Sequence, residues 1–225
     1  MLGVIVMADP RVAAIPVREC GEPLVDTADS EHLRVDDRMA DEHGQWRLLR
    51  AGVVERLERA AQLLPPGVRL LVLEGYRSPQ RQERGFTRYR ETLRALRPDL
   101  DEGALRAAAS RYISPPEVAP HPSGAAIDLT LCDDDGTELD LGCAYDATPE
   151  ESDGGCFTAA PGLPERAAAN RRLLVEVLTE AGLVNYPTEW WHWSYGDRYW
   201  ALKTGAPAAL YGPHDLTAPA QAAAV

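Results

Sequence analysis

Two short segments of the sequence carry side chains of the types that bind a catalytic metal. One segment runs from His121 to Asp128 and the other from Glu189 to His192. Catalytic zinc takes three protein ligands with nitrogen or oxygen donors and keeps a further position open for water. If the two segments lie side by side, His121, Asp128 and His192 supply that set and would bind one zinc ion per chain.

Glu189 lies three residues before His192, where its carboxylate could take a proton from a water activated by the metal. The spacing alone leaves a second interpretation open. Residues three or seven apart face opposite sides of a regular strand, so Asp128 could simply end a strand, His192 could be a core histidine and Glu189 a surface acid. A metal site requires His121 to lie in the loop before its strand and Glu189 at the entrance of its own.

Arg77 follows an apolar run, Val68–Leu73, that predicts a buried strand. Residues in such a turn often reach into a functional site, and a fixed cation there could stabilise the oxyanion of a tetrahedral intermediate. A surface arginine lying over the helix predicted from Gln80 fits the same pattern. The residues alone leave both interpretations open.

The elements that must position these residues can be predicted from apolar periodicity and from proline and glycine. Helices are predicted at Glu42–Leu64, Gln80–Leu96, Glu102–Tyr112 and Glu165–Ala181, and strands at Val68–Leu73, Ala125–Leu131 and Glu189–Tyr195. Helices come first and strands are concentrated later, which indicates an α+β fold. We expect a single domain over residues 1–225, with a loose tail rich in Ala and Pro at 206–225.

The composition argues against several classes of partner. The chain has 35 acidic and 23 basic residues, a formal net charge of −12, and no cluster of lysine or arginine offsets it. Such a surface repels phosphate, so we expect neither nucleic acid nor an anionic membrane as a partner. No run approaches the ~18 apolar residues of a membrane span, and Leu2–Met7 lacks the basic flank of a signal peptide. We therefore expect a cytoplasmic protein whose four cysteines are free thiols.

Taken in order, these motifs resemble the zinc-dependent D-alanyl-D-alanine dipeptidases, the enzymes best known from vancomycin resistance. The matching segments are Glu74-Gly-Tyr-Arg77, His121-x6-Asp128 with the continuation Leu-Thr-Leu, Glu138-Leu-Asp-Leu-Gly-Cys-Ala-Tyr-Asp146 and Glu189-Trp-Trp-His192. The family is related to the D-Ala-D-Ala carboxypeptidases and to the zinc domain of Hedgehog proteins. The resemblance spans roughly Trp46 to Trp200.

The resemblance implies an α+β fold with a central antiparallel sheet, flanking helices and a zinc site on the sheet. It also implies the roles of the site residues: His121, Asp128 and His192 bind zinc, Glu189 is the catalytic base, Arg77 polarises the scissile carbonyl, and Asp146 contacts the free amino group of the substrate. A carboxylate at that position selects an ammonium group and disfavours peptides extended at the amino terminus. The implied partner is therefore a small dipeptide, with D-alanyl-D-alanine as the leading substrate.

Two departures from the family bear on the substrate. The dipeptidases usually carry serine two residues before the first zinc histidine, where this chain has Ala119, and Leu24-Val25-Asp26 replaces the family's tyrosine-bearing segment. These departures leave open a hydrolase that tailors a different small dipeptide, amide or peptide-like metabolite. A non-catalytic binding module stabilised by zinc is a further alternative. Glu189 and Arg77 argue against the binding module, because a purely structural zinc site needs neither.

Overall fold

The structure is a computed structural model that describes residues 4–216. The described residues contain seven β-strands: β1 (Leu24–Asp26), β2 (Leu33–Val35), β3 (Leu48–Arg50), β4 (Val68–Glu74), β5 (Ala126–Asp133), β6 (Val184–Asn185) and β7 (His192–Ser194). Five of them form a central sheet in the order β2-β4-β5-β7-β6, and β1 and β3 pair separately. β2 runs parallel to β4, and the other neighbours in the central sheet are antiparallel.

Six α-helices lie within residues 4–216: α1 (Pro10–Ala14), α2 (Ala51–Leu63), α3 (Pro79–Leu96), α4 (Glu102–Ala109), α5 (Glu165–Glu180) and α6 (Arg198–Thr204). None of these helices is long and apolar enough to cross a lipid bilayer. The predicted α+β class is confirmed. The predicted antiparallel sheet is correct except at one edge, where β2 joins β4 in parallel.

Local sequence explains where the two helices beside the site begin. Ser78 caps α3 by accepting a hydrogen bond from the Arg81 amide at 3.3 Å, and Pro79 occupies the first helical position. Asp101 caps α4 by accepting from the Ala104 amide at 2.7 Å. The two helices pack on one another through a small hydrophobic cluster of their own.

One predicted helix is wrong over its first half. The periodicity of Glu42–Leu64 predicts a continuous helix, but Gln45–Arg47 is a 3-10 turn, β3 follows, and α2 starts only at Ala51. The reason is strand pairing: β3 pairs with β1, with Leu24 opposite Arg50. Apolar residues that fit a helical stripe also fit a short buried strand, and tertiary pairing decides between the two.

The central sheet has one apolar face and one face that carries the polar residues of interest. Ile127, Leu129 and Leu131 on β5 belong to the main hydrophobic core, which α2 and α5 complete. Because side chains alternate along a strand, Asp128 points to the opposite face. This alternation separates the core from the candidate site.

The first part of the predicted loose tail, 206–225, is packed against the protein. Ala208, Ala209 and Tyr211 are buried, and Tyr211 belongs to the main core. Residues 217–225 lie outside the described part of the chain.

Candidate active site

Three neighbouring strands place three polar residues in one row across the sheet. Glu74 of β4 pairs with Asp128 of β5, and Asp128 pairs with His192 of β7. A β-bulge between Val72 and Glu74 makes this row possible. Without it, strand alternation would turn Glu74 to the same face as Val72, which belongs to the hydrophobic core.

His121 reaches the row from the turn that precedes β5. It begins a 3-10 turn, His121–Ser123, which ends at Gly124 with φ of 68°. Its Nδ1 lies 2.6 Å from the carbonyl oxygen of Gly75. Because a carbonyl oxygen only accepts, Nδ1 carries a proton, and in the neutral ring Nε2 then has the free lone pair. A histidine that binds metal through Nε2 needs this tautomer and this kind of support.

The three predicted metal ligands present one atom each to a common point. His121 Nε2 lies 3.2 Å from His192 Nδ1, which lies 2.9 Å from Asp128 Oδ1. Asp128 Oδ1 lies 3.5 Å from His121 Nε2. Zinc bonds of ~2.0–2.1 Å in a tetrahedron separate neighbouring ligand atoms by about 3.3 Å. The observed distances lie on both sides of that value, so these residues fit a tetrahedral zinc site, and the cluster could hold a metal ion.

The charges of these groups also suit a metal site. Burial lowers the pKa of His192 despite the opposing effect of Asp128, so the ring is neutral at neutral pH. Its Nε2 is buried without a hydrogen-bond partner among the described residues. Burial would raise the pKa of Asp128, but His121 and His192 outweigh it and hold the pKa well below its usual range. A neutral imidazole and an ionised carboxylate are the forms that bind zinc.

Glu189 lies on a turn immediately before β7 rather than within it. The turn is closed by the His192 amide, which donates to the Glu189 carbonyl at 3.2 Å, and Asn185 donates its side-chain amide to the same carbonyl at 3.1 Å. The Glu189 carboxylate lies 3.9 Å from His192 Nδ1. Burial and the neighbouring carboxylates of Asp128 and Asp146 raise its pKa well above the ordinary value, and Arg77 offsets only part of this effect.

Arg77 is held over the polar row and is not a surface residue. Its side chain is 18% exposed and pairs with Glu74, which is fully buried. The guanidinium Nε donates to Glu74 at 3.2 Å, and Nη1 donates to Gln82 at 3.1 Å. Nη2 also contacts Glu74, and it lies 3.9 Å from Asp128. Burial opposes the charge, but Glu74 and Asp128 together raise the pKa of Arg77.

Asp146 lies on the loop after β5 and faces the same space. It has φ of 63°, the left-handed region that aspartate tolerates better than most residues. Tyr112 donates its hydroxyl to Asp146 Oδ1 at 2.8 Å. Packed protein around the carboxylate raises its pKa, which the hydrogen bond from Tyr112 partly offsets.

All six residues predicted from the sequence line one cavity of about 320 Å³: Arg77, His121, Asp128, Asp146, Glu189 and His192. The two family departures lie elsewhere. Ala119 is buried and is not among the described residues that line this cavity. Asp26 pairs with Arg47 at 2.8 Å. Met39, from the amino-terminal region, does line the cavity.

Several residues that support the site were missed in the sequence, Gln82 and Tyr112 among them. Glu74 holds Arg77, and Tyr145 donates its hydroxyl to Asp128 Oδ2 at 3.4 Å. Glu74 did leave a signal, because an acid ends the apolar run of β4 three residues before an arginine. Tyr145 gave no such signal apart from its position next to Asp146. Its contact with Asp128 forms only when the loop packs against β5.

Comparison with known proteins identifies the family. The family model described as D-ala-D-ala dipeptidase, peptidase M15, matches residues 29–205. The D-alanyl-D-alanine dipeptidase of Synechocystis sp. is 31% identical over 219 residues, which covers 84% of this chain and 87% of that protein. The enzyme of the same name from Streptomyces coelicolor is 30% identical over 71% of this chain and 77% of its own length.

Two further similarities are more limited in extent or in identity. The D-alanyl-D-alanine dipeptidase of Escherichia coli is 42% identical over 72 residues, which are 32% of this chain and 35% of that protein. Among solved structures, the LD-carboxypeptidase LdcB aligns with a TM-score of 0.44 and 18% identity, over 83% of this chain and 73% of its own.

Proposed function

Because this chain belongs to the D-Ala-D-Ala dipeptidase family of peptidases, we propose that it hydrolyses D-alanyl-D-alanine or a closely similar small dipeptide. The observation that most directly supports this function is the convergence of His121, Asp128, His192, Glu189 and Arg77 on one cavity. A volume of about 320 Å³ lies at the lower end of small-molecule sites. A non-catalytic binding module would need neither a buried base nor a buried guanidinium in that cavity.

The proposed cofactor is one zinc ion per chain, held by His121 Nε2, Asp128 Oδ1 and His192 Nδ1. The distances between these three atoms and the tautomer of His121 support it. When bound, zinc supplies Lewis acidity that polarises a carbonyl group and lowers the pKa of water to about 7.

In this proposal Glu189 moves the protons. Its carboxylate takes a proton from the attacking water and later gives that proton to the leaving amine. A buried base with a raised pKa holds a proton more readily at neutral pH than an exposed glutamate does, which suits both steps. Arg77, fixed by Glu74 and Gln82, donates to the carbonyl oxygen as negative charge develops on it.

Asp146 is proposed to bind the free amino group of the substrate. Its carboxylate lies in the wall of the cavity and is oriented by Tyr112. A dipeptide with a free ammonium would pair with this carboxylate, whereas a peptide extended at its amino terminus offers no charged group there and brings additional bulk. We further propose a cytoplasmic location, which the four free thiols support.

The test is to measure zinc and D-alanine release for purified protein and three variants. Wild type should contain about one zinc per chain and hydrolyse D-Ala-D-Ala. His121→Ala should lose both properties. Glu189→Gln should keep zinc and lose kcat by about 10²–10⁴-fold, the usual cost of removing a general base.

His43→Ala is the matched control, because His43 is an exposed histidine outside the cavity. It should keep full zinc and full activity. Zinc retained at wild-type content by the double variant His121→Ala, His192→Ala would contradict the proposed metal site. Wild-type kcat in Glu189→Gln would assign the base to another residue.

A further inference from the structure

A second cavity adjoins the candidate active site. Its volume is about 580 Å³, larger than the inner cavity, and it lies between α3 and the loop around Thr148. The two cavities share five lining residues: Gly85, Arg88, Tyr112, Ile113 and Asp146. The shared residues form the boundary between the two adjacent cavities, and Asp146 lies at this junction.

A glycine inside a helix keeps this junction wide. Gly85 lies in the middle of α3, where glycine is unfavourable compared with alanine. A Cβ at this position would meet nothing closer than Ile113 Cδ1 at 3.5 Å, an ordinary contact. Packing therefore does not require glycine here. A larger side chain at this position would extend into the boundary that both cavities share.

The outer cavity differs from the inner one in chemistry. Apolar side chains and tyrosine rings form much of its wall, with Leu93, Leu96 and Ile113 among them. Its two glutamates already have hydrogen-bond donors. Tyr89 donates to Glu150 at 2.7 Å, and Thr148 donates its hydroxyl to Glu151 at 2.9 Å.

We propose that the outer cavity receives the side chain of the substrate's amino-terminal residue, and that the enzyme accepts dipeptides with a large apolar residue at that end. This inference rests on the proposed function, in which Asp146 binds the ammonium group. The side chain branches from the carbon atom that bears the ammonium, so it starts at the junction. From Gly85 to Leu96 the wall of the outer cavity follows α3 for about 16 Å, at ~1.5 Å per residue. That length exceeds the roughly 7 Å of an extended dipeptide backbone.

The test compares kcat/KM for D-Ala-D-Ala, D-Leu-D-Ala and D-Phe-D-Ala in wild type and in Gly85→Leu. Wild type should hydrolyse D-Phe-D-Ala at least as efficiently as D-Ala-D-Ala. Gly85→Leu introduces a good helix former whose side chain fills the junction. The ratio of kcat/KM for D-Phe-D-Ala to that for D-Ala-D-Ala should fall by about 10-fold or more, the usual scale for a changed hydrophobic pocket.

Gly103→Leu is the matched control. Gly103 lies in α4, is exposed and lines neither cavity, so the same substitution should leave the ratio unchanged. Circular dichroism and the thermal midpoint check that Gly85→Leu is folded. A folded Gly85→Leu protein with the wild-type ratio would overturn the proposal.

The outcomes also separate this inference from the proposed function. If wild type hydrolyses D-Ala-D-Ala but is more than 100-fold less efficient on D-Phe-D-Ala, the inference fails and the function stands. Hydrolysis of D-Phe-D-Ala without D-Ala-D-Ala supports the outer cavity and overturns the assigned substrate. If neither dipeptide is cleaved, calorimetric titration of D-Phe-D-Ala into zinc-loaded wild type and Gly85→Leu decides. Weaker binding to the variant supports the inference, and equal binding or none overturns it.

Discussion

The ion pair between Glu74 and Arg77 allows a sharp test of how the site is held together. Glu74 is fully buried, and its two oxygens accept hydrogen bonds from Arg77 Nε and Nη2. Glu74→Gln keeps the shape and one acceptor but replaces the other oxygen with an NH2 group that faces a guanidinium donor. The variant therefore loses the charge that pairs with both Arg77 and Arg81, and at least one hydrogen bond to Arg77.

The magnitude follows from the burial of the pair. Removing one partner of a buried ion pair costs ~3–5 kcal/mol. The retained acceptor and the approach of Asp128, 3.9 Å from Arg77, reduce that cost. We expect the free energy of unfolding to fall by about 2–3 kcal/mol, which lowers the midpoint of thermal unfolding by about 4–12 °C in a chain of this size.

Metal-stripped protein should be used for unfolding, because bound metal adds stability by mass action. Glu102→Gln is the control: it breaks an exposed ion pair with Arg94, at 50% and 69% side-chain exposure, and should cost within about 1 kcal/mol. With zinc restored, Glu74→Gln should lower kcat about 10-fold with a smaller change in KM, because Arg77 acts on the developing oxyanion. A variant with the wild-type midpoint and kcat within twofold would refute a positioning role for Glu74.

Five other perturbations test four further positions. Arg77→Lys should lower kcat by about 10²-fold at unchanged zinc content, because the ammonium group cannot reproduce the planar fork, and normal kinetics would remove Arg77 from the mechanism. Asp146 must be ionised to attract an ammonium, and its pKa is raised; kcat/KM for free dipeptides should therefore fall as pH drops through that pKa. Asp146→Asn should lower kcat/KM for free dipeptides and reduce the loss of kcat/KM that N-acetylation of the dipeptide causes. Cleavage of N-acetyl-D-Ala-D-Ala by wild type as fast as the free dipeptide would refute the assignment. Tyr145→Phe should weaken zinc affinity about 10-fold in a chelator titration, through the lost hydrogen bond to Asp128, and equal affinity would show that the contact does not matter. Gly124→Ala should lower the free energy of unfolding by about 1–3 kcal/mol. The reason is that φ is +68° and the new Cβ would lie 2.3 Å from a methyl group of Leu24 in β1. An unchanged midpoint of urea unfolding would contradict this.

The site residues were predictable because residue types that suit a metal site occur close together in two short segments. His121 and Asp128 lie within eight residues of each other, and Glu189 and His192 within four. The metal interpretation required His121 to lie in the loop before its strand, and the histidine lies in the 3-10 turn that precedes β5. His121 lies before its strand, as predicted. Glu189 was expected at the start of the strand Glu189–Tyr195, whereas β7 begins only at His192. Their roles remain predictions until the variants are measured.

The supporting contacts were not predictable, because they join segments far apart in the chain. The β-bulge that turns Glu74 toward Asp128 depends on the register between β4 and β5, and the alternation of apolar residues gives no sign of it. The carbonyl of Gly75 that sets the tautomer of His121 is 46 residues away in sequence. The hydroxyl of Tyr112 that orients Asp146 is 34 residues away. Periodicity reports which face a residue occupies, and it does not report which distant backbone atom that residue will meet.

The charge balance of the cavity connects its stability to its chemistry. Glu74 pairs with both Arg77 and Arg81, and the carboxylates of Asp128, Asp146 and Glu189 lie close together in the same cavity wall. In the protein without metal, this crowding and burial raise the pKa of Glu189. A buried acid with a raised pKa stabilises the folded state while it is protonated, and that contribution is lost as pH rises through the folded-state pKa. Ionised Glu189, the form that can accept a proton, is therefore the form that the metal-free fold tolerates least. A divalent cation on the neighbouring ligands would offset the repulsion, so the same ion that serves the proposed reaction also allows the base to ionise within the fold.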